Sequence, residues 1–282
     1  MSRRGMAAIR VAGLRKRYRR RGPWALDGFD LEVPTGKISG VVGPNGAGKT
    51  TLFSVICGYL RPDAGEVDVL GQGPFDPWRL KGRLGALPQD APLDDRLTCV
   101  EFLLYVARLQ GLSRRDAEGE ARRTLGELNL ADRSADKIGS LSHGMRRRLA
   151  SASALLGHPE LVLLDEPTSG LDPAQSRDLR QVLLRMRGRS TLLVSSHNLD
   201  ELERICDHLV LVDRGRCTRQ GTVDEITGRG RHVAWELGPG EVPLEALREA
   251  LPGPGWTWAP GAAGARGSWT GRVAPPAMTS NA

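Results

Sequence analysis

An α/β fold built on a mostly parallel central sheet is what this 282-residue sequence predicts. Three short apolar runs carry that reading: Ile38–Val42, Leu161–Leu164 and Thr191–Val194. Unbroken runs of this length suit strands buried on both faces, whereas a half-exposed strand would alternate. Each run is followed by small or chemically active residues and then by a helix-compatible segment, the order of an α/β chain. Ligands in such folds sit beyond the carboxyl ends of the strands, so those three places hold the candidate site.

The first run leads into Gly43, Pro44, Asn45, Gly46, Ala47, Gly48, Lys49 and Thr50, which matches G-x-x-x-x-G-K-[ST], and then into a helical run, Lys49–Ile56. The glycines let the backbone curl so that several N–H groups point at one anion. Lys49 adds a point charge for β- and γ-phosphates, and the Thr50 hydroxyl can ligate Mg²⁺. The helix amino terminus adds further positive potential. The second run ends at Asp165 and Glu166. Two adjacent carboxylates could be a solvated strand exit or a helix cap. Beside a phosphate loop, the first can hold Mg²⁺ and the second can orient or deprotonate an attacking water.

Between these motifs, Leu97–Gln110 and Arg114–Leu130 read as helices parted by Gly111 and capped near Ser113, so residues 90–155 form a plausible helical subdomain. From Arg229 the composition changes. Residues 251–282 hold six Gly, five Pro and seven Ala, with three of the six tryptophans, Trp256, Trp258 and Trp269. His232–Leu237 and Trp256–Trp258 read as strands and Pro243–Leu251 as a short helix, and the last dozen residues as disordered.

Composition excludes some classes. With 40% apolar side chains there is enough to build a core. No run of 18 apolar residues occurs, since Leu149–Leu164 is broken by Ser151, Ser153, His158 and Pro159, so no membrane-spanning helix is expected. The basic amino terminus lacks the apolar stretch of a secretory signal, and a cytoplasmic location is expected. Cys57, Cys99, Cys206 and Cys217 show no metal-ligand spacing and read as reduced, buried thiols. The net charge is +7, carried by 35 Arg and 5 Lys. The densest run, Arg15–Arg21, could meet nucleic acid or anionic lipid, but standing alone it reads better as a solvated loop.

Further residues give the chain a resemblance. Tyr18 lies 25 residues before Gly43, Gln89 sits in Leu87-Pro88-Gln89, and Leu141-Ser142-His143-Gly144-Met145 precedes the acidic strand. Ser169-Gly170-Leu171-Asp172 follows that strand, and His197 follows Ser195-Ser196. In this order the motifs resemble the nucleotide-binding subunit of an ATP-binding cassette (ABC) transporter, from about Ile9 to Ile226. The resemblance implies a P-loop NTPase core, with antiparallel β elements on its amino-terminal side, an inserted helical subdomain and a small carboxyl-terminal extension. The cassette would occupy 7–228 and a partly disordered extension 229–282.

It also implies roles. ATP would be bound by Tyr18, stacking on adenine with Trp24 as a nearby competitor, and by Gly43 through Thr51. Thr50, Gln89 and Asp165 would serve Mg²⁺, and Glu166, His197, Lys49 and Gln89 the hydrolysis. Ser142, His143, Gly144 and Met145 would form the signature motif, usually LSGGQ, from which this chain departs at His143 and Met145. The Ser142 hydroxyl and Gly144 N–H, which touch phosphate in the family, are kept. Asp172 would belong to the D-loop. Because signature and phosphate loop of one cassette do not reach the same ATP, a head-to-tail homodimer with two sandwiched ATP molecules is implied, along with an integral membrane permease on a separate chain. Such a cassette would work at the inner face of the cell membrane, and the pattern looks most like bacterial drug or antibiotic export. Rival readings are an importer ATPase, a degenerate cassette, or a soluble ATPase acting on ribosomes or nucleic acid. The last would carry a second cassette or a long coiled coil; only 115 residues separate Lys49 from Leu164 with no heptad run. No direct nucleic-acid binding is expected.

Overall fold

A computed structural model of the chain describes residues 7–228, 232–236, 257–260 and 268–272. Two compact units divide at Thr222/Val223. In chain order the strands of the first unit are β1 (Ala7–Lys16), β2 (Leu26–Pro34), β3 (Ile38–Val42), β4 (Ala64–Val69), β5 (Leu84–Leu87), β6 (Leu161–Leu164), β7 (Thr191–Ser196), β8 (His208–Asp213) and β9 (Arg216–Thr222). Its helices are α1 (Lys49–Ile56), α2 (Cys99–Leu109), α3 (Arg114–Glu127), α4 (His143–Ala154), α5 (Pro173–Met186) and α6 (Leu199–Glu203).

The central sheet has six strands in the order β5-β6-β7-β3-β8-β9. Neighbours from β5 to β8 run parallel, and β9 closes the edge antiparallel to β8. All residues of β3, β6 and β7 are buried, which is why they read as continuous apolar runs. A second sheet, ordered β2-β1-β4, is antiparallel throughout. Its strands bury one face: in β2, Leu26, Phe29, Leu31 and Val33 are covered while Glu32 between them is exposed.

One apolar cluster joins the two sheets. It gathers Ile9, Val11 and Leu14 of β1, the four covered residues of β2, Leu52, Phe53 and Ile56 of α1, and alternate residues of the central sheet, Val41, Leu161, Leu163, Leu193 and Val210. Burial of each such side chain contributes about 1.5–3 kcal/mol. The helix behind the phosphate loop is thus anchored by its apolar face, which leaves its amino terminus as a fixed feature.

The helical segment is built on local signals. Thr98 caps α2 in a reciprocal box with Glu101, so the helix starts two residues later than Leu97. Ser113 caps α3, which stops at Glu127, ahead of Asn129 with its left-handed φ of 54°. Helix α4 packs on α2 and α3 and also on β5 and β6. It therefore touches the helical segment and the central sheet together.

Two further expectations are corrected. Arg15 and Lys16 end β1 rather than lying in a loop, and their strand pairing with Asp27 and Leu26 accounts for it. The run Thr191–Val194 extends to Ser196, because Ser195 and Ser196 still pair with Val41 and Val42. The cysteines are free; Cys57, Cys99 and Cys206 are buried and Cys217 is half-buried. Burial pushes the Cys57 thiol up to about 12, which keeps it protonated and inert.

The second unit holds a helix, α7 (Val223–Thr227), and three antiparallel strands, β10 (His232–Glu236), β11 (Thr257–Pro260) and β12 (Ser268–Arg272), in the order β10-β12-β11. The strand predicted at His232 is present. The one predicted at Trp256–Trp258 runs instead from Thr257, and β12 takes in the first two of the last dozen residues. The helix expected at Pro243–Leu251 and the disorder expected for residues 273–282 lie outside the described residues.

Candidate active site

Strands β3, β6 and β7 are adjacent in the sheet and parallel, so their carboxyl ends open side by side. Topology alone brings together the three places singled out in the sequence. Gly43 through Gly48 curl from β3 into α1. Gly48 caps α1 at φ 107°, a backbone open to glycine, and an added Cβ would come 2.6 Å from the Ala25 carbonyl oxygen. Pro44, Asn45 and Gly46 are exposed at the tip, while Ala47 is buried beneath it.

Lys49 is 5% exposed, and its ammonium donates to the carbonyls of Gly43 at 2.8 Å and Pro44 at 3.2 Å. The same Nζ stands 3.5 Å from Glu166 Oε1. On the other side, His197 Nδ1 lies 3.4 Å from Glu166 Oε2. One carboxylate is thus flanked by the phosphate-loop lysine and by the histidine after β7. Thr50 Oγ1 donates to Gln89 Oε1 at 3.1 Å, which brings the loop after β5 against the first turn of α1.

Strand β6 stops at Leu164, so both acidic residues lie past its end. Asp165 N–H still donates to the Leu87 carbonyl, continuing the ladder for one residue. Glu166 then turns with φ 47°, a left-handed conformation that costs a non-glycine residue about 1–3 kcal/mol. Ser195, fully buried on β7, holds both acids: its hydroxyl donates to Asp165 Oδ1 at 2.5 Å and accepts from Glu166 N–H at 2.8 Å.

Asp165 is 1% exposed, and its Oδ2 has no hydrogen-bond partner among the described residues. Burial pushes its carboxyl above the ordinary carboxylate value; the hydrogen bond from Ser195 and the nearby Thr50 hydroxyl pull it down, Glu166 raises it and Lys49 lowers it. An unpartnered carboxylate oxygen beside the Thr50 hydroxyl fits a hard divalent cation such as Mg²⁺. That ion binds one or two protein oxygens and takes the rest from phosphates and water.

Tyr18 is 66% exposed and fixed at its tip, where the hydroxyl meets Thr51 Oγ1 at 3.0 Å. Its ring is left open beside α1. Trp24 is half-buried and engaged otherwise, under the guanidinium groups of Arg17 at 4.4 Å and Arg15 at 5.8 Å.

Ser142 caps α4, accepting from Met145 N–H at 3.3 Å. Among the described residues, no hydrogen bond joins Ser142–Met145 to the phosphate loop. The motif packs instead on the segment after Glu166. The His143 ring lies over Gly170, where an added Cβ would come 2.4 Å from Cε1. Asp172 caps α5, accepting from Gln175 N–H at 2.8 Å. The structure therefore gathers Lys49, Thr50, Gln89, Asp165, Glu166 and His197 at one point, with Tyr18 beside α1. Among the described residues, no hydrogen bond joins Ser142–Met145 or Asp172 to that cluster.

Two contributors were missed by sequence reasoning. Ser195 entered only as part of the run before His197; its position on the third buried strand was the available signal. Arg147 gave none: it reads as one of three arginines on a helix, yet it is buried and bonds backbone behind the acids.

Comparison with known proteins agrees with this geometry. The family model described as ABC transporter matches residues 26–169. Daunorubicin resistance ATP-binding protein DrrA3 of Streptomyces coeruleorubidus is 41% identical over 221 residues, covering 78% of this chain and 69% of that protein. Nod factor export ATP-binding protein I of Burkholderia thailandensis is 39% identical over 200 residues, covering 70% and 65%. A solved ATP-binding subunit of an ABC transporter superposes with a TM-score of 0.70 at 28% identity, covering 79% of this chain and 93% of that one. No helix among the described residues is long and apolar enough to cross a membrane. This chain belongs to the ABC transporter family, as an ATP-binding cassette with ATPase function.

Proposed function

We propose that the chain is the ATP-hydrolysing subunit of an exporter of drug- or antibiotic-like small molecules. Two copies would close head to tail on two ATP molecules and drive a permease on a separate chain at the inner face of the membrane. The observation that carries the reading is the convergence of Lys49, Glu166 and His197, to which no hydrogen bond joins the Ser142 motif among the described residues. A signature surface with no phosphate of its own suits a nucleotide held by a second copy. The relatives named for daunorubicin resistance and Nod factor export favour outward transport.

The chemistry follows from the side chains. Backbone N–H groups of Gly43–Gly48 and the α1 amino terminus bind the phosphates. Lys49 exchanges its carbonyl acceptors for β- and γ-phosphate oxygens. Thr50 and Asp165, with Gln89 alongside, would hold Mg²⁺, which would supply charge neutralisation on the phosphates. Glu166 accepts a proton from the attacking water while His197 donates to the γ-phosphate and steadies the carboxylate. Tyr18 offers its open face to adenine. The γ-phosphate also satisfies Ser142 and the Gly144 N–H of the partner copy, with His143, Met145 and Asp172 lining the same face. Hydrolysis removes that bridge, and the dimer opens. The exposed Trp78, Tyr105 and Leu109 offer an apolar contact for the permease.

Light scattering of Glu166→Gln tests the dimer: with ATP the protein is expected at twice its monomer mass, and a monomer at saturating ATP refutes the sandwich. Direction is tested in inverted vesicles holding both subunits, where ATP-driven uptake of daunorubicin is expected and its absence argues for another cargo or an importer.

A further inference from the structure

Arg147 lies five residues beyond Ser142, about 140° around the axis of α4 at 3.6 residues per turn. Ser142 caps the helix at an exposed end, and Arg147 faces inward, 9% exposed. Its Nη1 donates to the Gln89 carbonyl at 2.7 Å; its Nη2 donates to the carbonyls of Asp165 at 2.6 Å and Glu166 at 2.7 Å. Nε has no partner. A buried cation bonded to carbonyls alone is an expensive way to hold a core together. The three carbonyls, however, belong to Asp165 and Gln89, expected to serve the ion, and to Glu166, expected to be the base. Burial weighs against the charged guanidinium, while Asp165, Glu166 and Asp90 favour it. The left-handed turn of Glu166 is gripped at both ends: its N–H by Ser195 and its carbonyl by Arg147.

We propose that Arg147 is a positioning residue for hydrolysis, holding the Glu166 turn and the Gln89 segment in their places from α4. The inference rests on Glu166 being the base. It gives α4 two working ends, an outward one that meets the partner's nucleotide and an inward one that sets the aim of its own chain's base. The next residue supplies a control. Arg148 is equally buried on α4, but its Nη1 bonds the Leu128 and Asn129 carbonyls at 3.0 and 3.4 Å, in the helical segment and away from the acids.

The test is ATP turnover by the full chain bearing Arg147→Met, Arg147→Lys or Arg148→Met. A misplaced base lowers rate more than binding, so Arg147→Met is expected to lower kcat about 10- to 100-fold with KM for ATP changed less than about threefold. Arg147→Lys, which keeps the charge and loses the fork, is expected to fall between, and it serves where the methionine variant does not fold. Arg148→Met is expected to melt earlier yet keep kcat per folded molecule. In a Glu166→Gln background, Arg147→Met is expected to add a smaller loss to the residual single-turnover rate, the part owed to the Gln89 segment. Wild-type kcat in Arg147→Met, or an undiminished loss in the Glu166→Gln background, overturns the proposal. Wild-type turnover by Glu166→Gln alone overturns the base assignment beneath it, a result distinguishable from the other two.

Discussion

Lys49 Nζ and Glu166 Oε1 stand 3.5 Å apart, with the side chain of the first 5% and of the second 12% exposed. Opposite charges this close and this dry sense one another strongly, and a triphosphate entering the loop competes for the same ammonium. Lys49→Ala is expected to lose at least about tenfold in Mg-ATP affinity, the lower range for removing a charge-assisted hydrogen bond. Isothermal titration checks it; wild-type affinity would reject the phosphate-loop assignment.

Ser195 is one hydroxyl with two duties, and alanine removes both. Ser195→Ala leaves the Glu166 N–H and Asp165 Oδ1 without their partner, a cost of about 1–3 kcal/mol in a buried place. Urea unfolding is expected to show that loss, with kcat falling as the Glu166 turn loosens. Unchanged stability would mean that water replaces the hydroxyl.

Asp165 poses the opposite case. Its carboxyl holds its proton to a higher pH in the folded chain than in the unfolded one. Stability is therefore lost as pH rises from the ordinary carboxylate value through the folded one, and the cost persists above it. Asp165→Asn removes the charge and keeps an acceptor for Ser195. It is expected to raise the melting temperature of the nucleotide-free protein at pH 8 by about 2–4 °C for each kcal/mol relieved, with a smaller gain at pH 5. Mg²⁺-dependent turnover should disappear in the same variant. A lower melting temperature at pH 8 would show that Lys49 already compensates the charge.

Tyr18 separates ring from hydroxyl. Tyr18→Phe loses only the bond to Thr51 and is expected to keep its KM for ATP within about threefold, since a part-buried neutral hydrogen bond contributes about 0.5–1.5 kcal/mol. Tyr18→Ala loses the stacking face, worth about 1–3 kcal/mol, and should raise KM for ATP and GTP alike. An effect on one nucleotide only would place the base elsewhere.

Much of this site is legible along the chain because its parts are local. The phosphate loop announces itself through spacing within eight residues, and Asp165 and Glu166 through the end of a buried strand. The helix start at Ser113 follows from capping chemistry three residues long, whereas Thr98, which caps the helix before it, reads along the chain as lying inside that helix. What escapes reading is made by contacts across the fold. Ser195 reaches Asp165 from 30 residues away, and Arg147 reaches Gln89 from 58. Neither bond has a sequence period or a neighbour to betray it, and a buried arginine looks the same on paper as the exposed ones. The left-handed Glu166 was hidden too, since only its partners make that backbone tolerable. The antiparallel sheet of β1, β2 and β4 came through family resemblance, although the alternation Phe29-Asp30-Leu31-Glu32-Val33 was there to be read.

The imidazole of His143 fills the space that any side chain at position 170 would need. The two positions are therefore linked by volume, although 27 residues separate them. A chimera that grafts a glycine-bearing motif onto this chain would open a gap above Gly170, and one that imports a larger residue at 170 would evict the ring. Engineers exchanging segments between such proteins should move both positions together.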